Sequence, residues 1–290
     1  MQKLLSMKAL GALLCWTVGA AWAQPPAPSP SAAGEAAPPA VPAAPVPAEN
    51  LAGSAPFARL LAVLYGEAEE SSAGAAGGAG TGAESPKPPR LTGAAAKAEP
   101  LFAQAAARRQ TGDVAGAREI YHQILALPRL DSRRALRAWK GLREAGEPAA
   151  GAAAGQILGV VAEIDYDVQG EHAILAVSGY AEGDPILAAS SGYSLLGVRL
   201  RSSTIAAGRR LVTAAQPFLA EVPPEEIRRL PGNGEIRLSL LTPGGVRSIA
   251  LPRRELEAAP TSLHPLYVAA QQLLVALRLE SERLEDAKKP

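Results

Sequence analysis

The stretch Val161-Ala-Glu-Ile-Asp-Tyr-Asp-Val168, then Gln169-Gly170, then Glu171-His-Ala-Ile-Leu-Ala-Val177 decides the reading of this chain. Ala162, Ile164, Tyr166 and Val168 alternate with Val161, Glu163, Asp165 and Asp167, and Ala173, Leu175 and Val177 alternate again after the break. A period of two sends alternate side chains to opposite faces of a strand, and a short glycine-containing break between two such runs predicts a hairpin. Asp165, Asp167 and Gly170 also share the oxygen and glycine spacing of the first half of an EF-hand calcium loop. The bidentate glutamate required at the twelfth position is Ala176, so the segment reads as a hairpin with acidic, solvent-facing residues.

Working outward, Ile236, Leu238 and Leu240 pair through Thr242-Pro-Gly-Gly245 with an apolar run at 246–251. Further strands are expected at 193–201, 210–215 and 218–222, and one short helical turn at 223–230. Six or seven short strands over 155–259 predict an antiparallel β-sandwich or half-barrel. A terminal helix at 261–287 follows, with Ser262 as its cap, Pro265 in its first turn and Leu266, Ala270, Leu273, Leu277 and Leu284 as its apolar stripe. The hairpin arrangement is similar to that of the AMIN domains of envelope proteins. That resemblance implies peptidoglycan binding or the localisation of secretion machinery.

Residues 98–146 change to helical periodicity. One helix runs to Gly112, Asp113 caps the next, and Ala117, Tyr121, Ile124 and Leu125 form its apolar face. A third helix at 132–145 contains Leu136, Trp139 and Leu142 and reads as a capping helix without the small close-packing residue. Leu101, Ala105, Gly112-Asp113, Ala117, Tyr121, Ile124-Leu125 and Pro128 resemble a tetratricopeptide repeat (TPR), with about one and a half repeats visible. The resemblance implies protein–protein interaction, with Glu99, Phe102, Arg109 and Gln110 as ligand-facing positions on the first helix. A repeat buries its apolar face only by stacking on a neighbour, so another segment or chain must cover this one.

The N-terminal part is compositionally different. Lys3 and Lys8 precede an apolar run, and Ala21-Trp22-Ala23 forms a small-x-small cleavage site, so 1–23 reads as a secretory signal peptide. Cys15, Met1 and Met7 leave with it, which excludes disulfides and thiolate chemistry from the mature chain. Ala12-Leu-Leu-Cys15 lacks the small residue that precedes a lipidated cysteine. With 27 basic against 28 acidic residues the mature chain carries a net charge of −1, and no nucleic-acid partner is expected. Residues 24–53 form a disordered Pro/Ala-rich linker, with nine prolines and nine alanines between Gln24 and Asn50. Residues 54–70 form a short amphipathic docking helix with Phe57, Leu60, Leu61 and Leu64 on one stripe. That stripe is well short of the about 20 apolar residues that cross a bilayer, so no transmembrane span is expected after signal cleavage. A second disordered linker, rich in Ala, Gly and Pro, occupies 71–97, and its glycines match neither phosphate-binding motif.

Catalytic machinery is not legible. His122, His172 and His264 are the only histidines, none has a second histidine at metal-ligand spacing, and neither a G-x-S-x-G elbow nor H-E-x-x-H occurs. The sequence therefore predicts an α+β multidomain, non-enzymatic protein with no cofactor and no metal. It is expected to be exported to the envelope of a Gram-negative bacterium, as a periplasmic, outer-membrane-associated or secreted adaptor for a protein or peptide partner. The alternatives are a peptidoglycan-binding or secretion-system accessory protein acting through the β-domain, and a hydrolase with a dispersed site.

Overall fold

A computed structural model describes residues 55–68, 93–168, 171–225, 228–258 and 261–287. The signal peptide expected at 1–23, the linker at 24–53 and all of the second linker before Gly93 lie outside the described residues. The described chain combines eight α-helices with one five-stranded sheet, so the protein is a mixed α+β structure. In chain order the elements are α1 (Ala55–Leu64), α2 (Ala94–Gln110), α3 (Val114–Leu125), α4 (Ser132–Glu144) and the four-residue α5 (Gly151–Ala154). Then follow β1 (Gly159–Val168), β2 (Glu171–Tyr180), β3 (Ile186–Ala189), α6 (Ser202–Ala215), β4 (Glu235–Thr242), β5 (Gly245–Pro252), α7 (Arg253–Glu257) and α8 (His264–Asp286).

The sheet order is β3-β2-β1-β4-β5, antiparallel throughout. The β1–β2 hairpin pairs Val168 with Glu171, and the β4–β5 hairpin closes with Thr242 opposite Gly245. Both strand pairs follow from the alternation and turn residues seen in the sequence. Two acidic residues of β1, Glu163 and Asp165, do not face solvent but are buried, because a helix and a loop cover their side of the sheet.

One face carries Val160, Ala162, Ile164, Leu175, Val177, Ile236, Leu238 and Leu240 and packs on α6 and α8. Thr204, Ala207, Gly208, Leu211, Val212 and Ala215 are the buried residues of α6, spaced at the helical period. The strand expected at 210–215 is thus the end of a helix, because its apolar residues belong to a 3.6-residue repeat that begins at 204. The strand expected at 193–201 is reduced to a bridge at Ser194, and 218–222 holds the end of a 3-10 turn. Helices occupy the layer where a sandwich would place its second sheet. Close approach of α6 to β2 requires the pair Gly179 and Gly208, since a Cβ on Gly179 would lie 2.5 Å from the Gly208 carbonyl oxygen.

The opposite face carries Val161, Ile174, Ala176, Tyr180, Ile186, Ala188 and Leu241, and α1 seals it with Phe57, Leu60, Leu61, Val63 and Leu64. The predicted docking helix is thus part of the core. Leu136 of α4 joins the same cluster. α4 is fixed at both ends: Ser132 N–H donates to Glu182 O at 2.8 Å, and Arg143 Nη1 donates to Pro243 O at 2.6 Å.

Both sheet edges are covered. Leu195 N–H donates to Leu187 O outside β3, while Ser248 N–H donates to Pro223 O and Glu225 N–H to Val246 O outside β5. The helical turn expected at 223–230 is, at 223–225, this extended edge cover. Blunted edges protect the sheet from pairing with other strands. At the C-terminal helix Ser262 is not the cap: α8 starts at His264, and Ser262 Oγ donates to Glu221 Oε2 at 2.6 Å.

Leu211 is fully buried between α6 and the sheet. Leu211→Ala should lower the unfolding free energy by about 2–5 kcal/mol in urea denaturation. Leu279→Ala, at a residue 59% exposed on α8, should change it by less than about 0.5 kcal/mol.

Candidate functional site

Two assemblies of chemistry-bearing side chains stand out, one in the helical module and one on the second face of the sheet. In the module, α2 and α3 form the expected helical hairpin. The turn residue Gly112 has φ 78°, and the Gly116 N–H donates to Asp113 Oδ1 at 2.9 Å, so Asp113 caps α3 as its position implied. Ala98, Phe102, Ala105, Ala117, Ile120, Tyr121, Ile124, Ala138 and Leu142 make their common core. α4 does supply a small residue for close packing. It is Gly141, where an added Cβ would overlap the Tyr121 ring.

The four positions implied by the repeat resemblance separate into two pairs. Phe102 is 3% exposed, and the Arg137 guanidinium lies over its ring at 3.9 Å. Glu99 accepts from Arg134 Nε at 2.8 Å and from Arg137 Nη1 at 3.0 Å. Both residues therefore serve the α2–α4 contact. Arg109 and Gln110 are exposed, and Arg109 donates to Glu144 Oε2 at 2.5 Å. An exposed pair of this kind contributes under about 1 kcal/mol.

Most basic side chains of this module pair with its own carboxylates. Arg134 and Arg137 bind Glu99, Arg109 and Lys140 bind Glu144, and Arg108 binds Asp113. His122 Nε2 lies 2.7 Å from Glu147 Oε1, a tie between α3 and the segment that follows α4.

The second assembly lies between β1, β4, the residue after α1 and the loop before β4. On β1 and β4 the positions facing α1 include Glu163, Arg237 and Ser239, all at most 2% exposed. The Tyr65 hydroxyl hydrogen-bonds Glu163 Oε1 at 3.2 Å and Ser239 Oγ at 2.9 Å. Arg237 lies with its Nε 3.9 Å from Glu163 Oε2, pairs with Glu225 and donates to Ser248 Oγ at 3.2 Å. Above the ring, the Arg228 guanidinium stacks on Tyr65 at 3.6 Å and binds Glu67 at 2.8 Å. Across the same face the Tyr180 hydroxyl donates to Leu64 O at 2.6 Å.

Burial pushes the Glu163 carboxyl above its usual range, and Arg237, Arg228 and the Tyr65 hydroxyl pull it only part of the way back. The Tyr65 phenol is likewise raised, first by burial and then by the Glu163 charge. The cluster is a latch for α1: Tyr65 bonds Glu163 and Ser239 across the seam, although Glu163 Oε2 and Arg237 Nη1 stay without a hydrogen-bond partner, and it offers no solvent-open reaction site. The sequence placed Glu163 and Arg237 at alternating positions among apolar neighbours. That mismatch was the available signal, but only the register Glu163 opposite Arg237 reveals the pair.

Elsewhere, His264 Nδ1 lies 2.8 Å from Leu256 O, at the start of α8. Among the described residues no group of three His, Cys, Asp or Glu side chains is placed to hold a metal ion, and no helix is long and apolar enough to cross a membrane. Comparison with protein-family models, curated proteins and solved structures finds no match.

A raised carboxyl stabilises the fold when protonated. Its contribution is full below the unfolded-state pKa and is lost as pH rises through the folded-state pKa. Urea unfolding of wild type and Glu163→Gln across pH 4 to 8 should therefore show the wild type losing ground to the variant as pH rises.

Proposed function

We propose that the protein is an exported adaptor of the bacterial cell envelope that captures a protein or peptide partner through its TPR-like helical module. Export rests on the signal-peptide pattern of 1–23, and the adaptor reading rests on the module. The observation that carries it is the position of the α2–α3 hairpin, which packs on α4 while α2 leaves Ala103, Gln104, Ala107 and Gln110 exposed. In a stacked-repeat protein such an open end is where a further helix or an extended segment lies.

Two features favour a protein or peptide over an anionic envelope polymer. The arginines of α2 and α4 are largely spent on Glu99, Asp113 and Glu144, which leaves little free positive field. In the β-domain both faces of the sheet pack on helices and both edges are bridged by neighbouring segments, so its strands offer no open pairing edge among the described residues. Arg109 and Gln110 contact the partner in this reading, and Glu99 and Phe102 hold α2 against α4 from beneath.

The test is affinity capture from envelope extract with the chain from Gln24 onward, read by mass spectrometry. The double variant Arg109→Glu, Gln110→Glu should reduce capture of its specific partner at least tenfold while lowering the unfolding free energy by no more than about 1 kcal/mol through loss of the Arg109–Glu144 pair. Undiminished capture by the double variant would remove the adaptor surface from α2.

A further inference from the structure

We propose that Glu163 is the proton-sensing group of a conformational latch: with a proton on its carboxyl the α1 segment is closed over the sheet, and when that proton is lost the segment lifts and uncovers the apolar face beneath. Two of the three carboxylates around Tyr65 have a cation of their own. Glu67 binds Arg228 at 2.8 Å, and Glu225 pairs with Arg237, which also donates to Ser248. Glu163 is left over. Arg237 Nε stays 3.9 Å from its Oε2, and that oxygen has no hydrogen-bond partner. Three carboxylates with two guanidinium groups are neutral together only when one carboxyl carries a proton. Glu163 has no solvent exposure, so a charge there is the costliest of the three.

Among the described residues, the other elements around the seam do not supply the missing charge. β2 sets Ala176 opposite Glu163, and Asp165, next along the same face of β1, is a further carboxylate that accepts from the Gly234 N–H at 2.9 Å. On α4, Arg133 lies over the Tyr180 ring and Arg143 donates to Pro243 O. Arg247 of β5 donates to Val222 O, Arg253 of α7 donates to Asp165 O, and Arg59 of α1 is exposed. The Tyr65 phenol has one proton for two acceptors, Ser239 Oγ at 2.9 Å and Glu163 Oε1 at 3.2 Å. A protonated carboxyl satisfies both contacts, because it donates to the phenol oxygen while the phenol donates to Ser239.

An ionised Glu163 gains water only when a covering segment moves, and the Tyr65 segment is the cover bonded to it. Lifting that segment bares Val161, Ile174, Tyr180, Ile186 and Leu241. A ten-residue helix is too short to persist alone in water, so α1 loses its amide protection once it leaves the sheet. The experiment follows amide hydrogen exchange by mass spectrometry in the chain from Gln24 onward, which contains every described residue. Wild type and Glu163→Gln are compared at each pH between about 5 and 8, so the intrinsic exchange rate cancels in their ratio. One linked proton allows about a tenfold change per pH unit. The expected result is a wild-type-to-variant exchange ratio in α1 that rises at least tenfold over this range, with wild-type α1 exchanging faster than α6 at the upper end. Glu225→Gln, which frees Arg237 to pair with Glu163, should flatten the rise. A ratio that does not change with pH overturns the proposal. So do α1 and α6 exchanging together at every pH, which would place the effect in global unfolding, and an undiminished rise in Glu225→Gln, which would break the charge count behind the latch.

Discussion

A single antiparallel sheet that buries both of its faces must take its cover from outside itself, and the rest of this structure follows from that requirement. Neither the β1–β2 nor the β4–β5 hairpin can bury its own apolar side chains, so each face needs helices. α6 and α8, which lie between and after the strands, supply one layer. The other layer comes from α1, almost one hundred residues upstream of its partner Glu163. Burying Phe57, Leu60, Leu61, Val63 and Leu64, each worth about 1.5–3 kcal/mol, outweighs the cost of drawing in so distant a segment.

The helical module is joined to this body by α4, which serves both assemblies. Leu136 of α4 enters the core beneath α1, while Ala138, Gly141 and Leu142 face α2 and α3. Arginine recurs at these seams. Guanidinium groups lie over Phe102, Tyr65, Tyr180 and Tyr166, joining helix to helix, loop to the α1 segment, α4 to sheet, and α7 to sheet. A planar cation stacked on an aromatic face covers apolar area and keeps hydrogen-bond donors at the ring's rim for a carboxylate. Arg228 does both, with Tyr65 beneath it and Glu67 at its edge.

Much of the local structure was legible because it rests on short-range periodicity. The alternation around Glu163 and Leu175 predicted the first hairpin, Pro243-Gly244 the second turn, and Gly112-Asp113 the break between α2 and α3. Arg210 to Ala215 was misread as a strand because the window began halfway along α6, after its buried Thr204 and Ala207. The sequence reads α4 as lacking a small close-packing residue although Gly141 supplies it, because the helical phase of a single partial repeat is weakly determined. The sandwich expectation assumed that strands cover strands, and nothing local in Phe57 to Leu64 distinguishes a helix bound for a partner from one bound for its own core. The pairing of Glu163 with Arg237 depends on strand register across 74 residues, which no local pattern encodes.

The central claim is that α1 belongs to the core of the fold, and Leu64, which has no solvent exposure, tests it most directly. Equilibrium urea unfolding of Leu64→Asp in the full-length chain, followed by circular dichroism and tryptophan fluorescence, measures what the α1 seam contributes. The account predicts a loss of about 3 kcal/mol or more, since the variant both opens a cavity and places a charge in apolar surroundings. An unfolding midpoint equal to that of the wild type would contradict it and leave α1 a dispensable appendage.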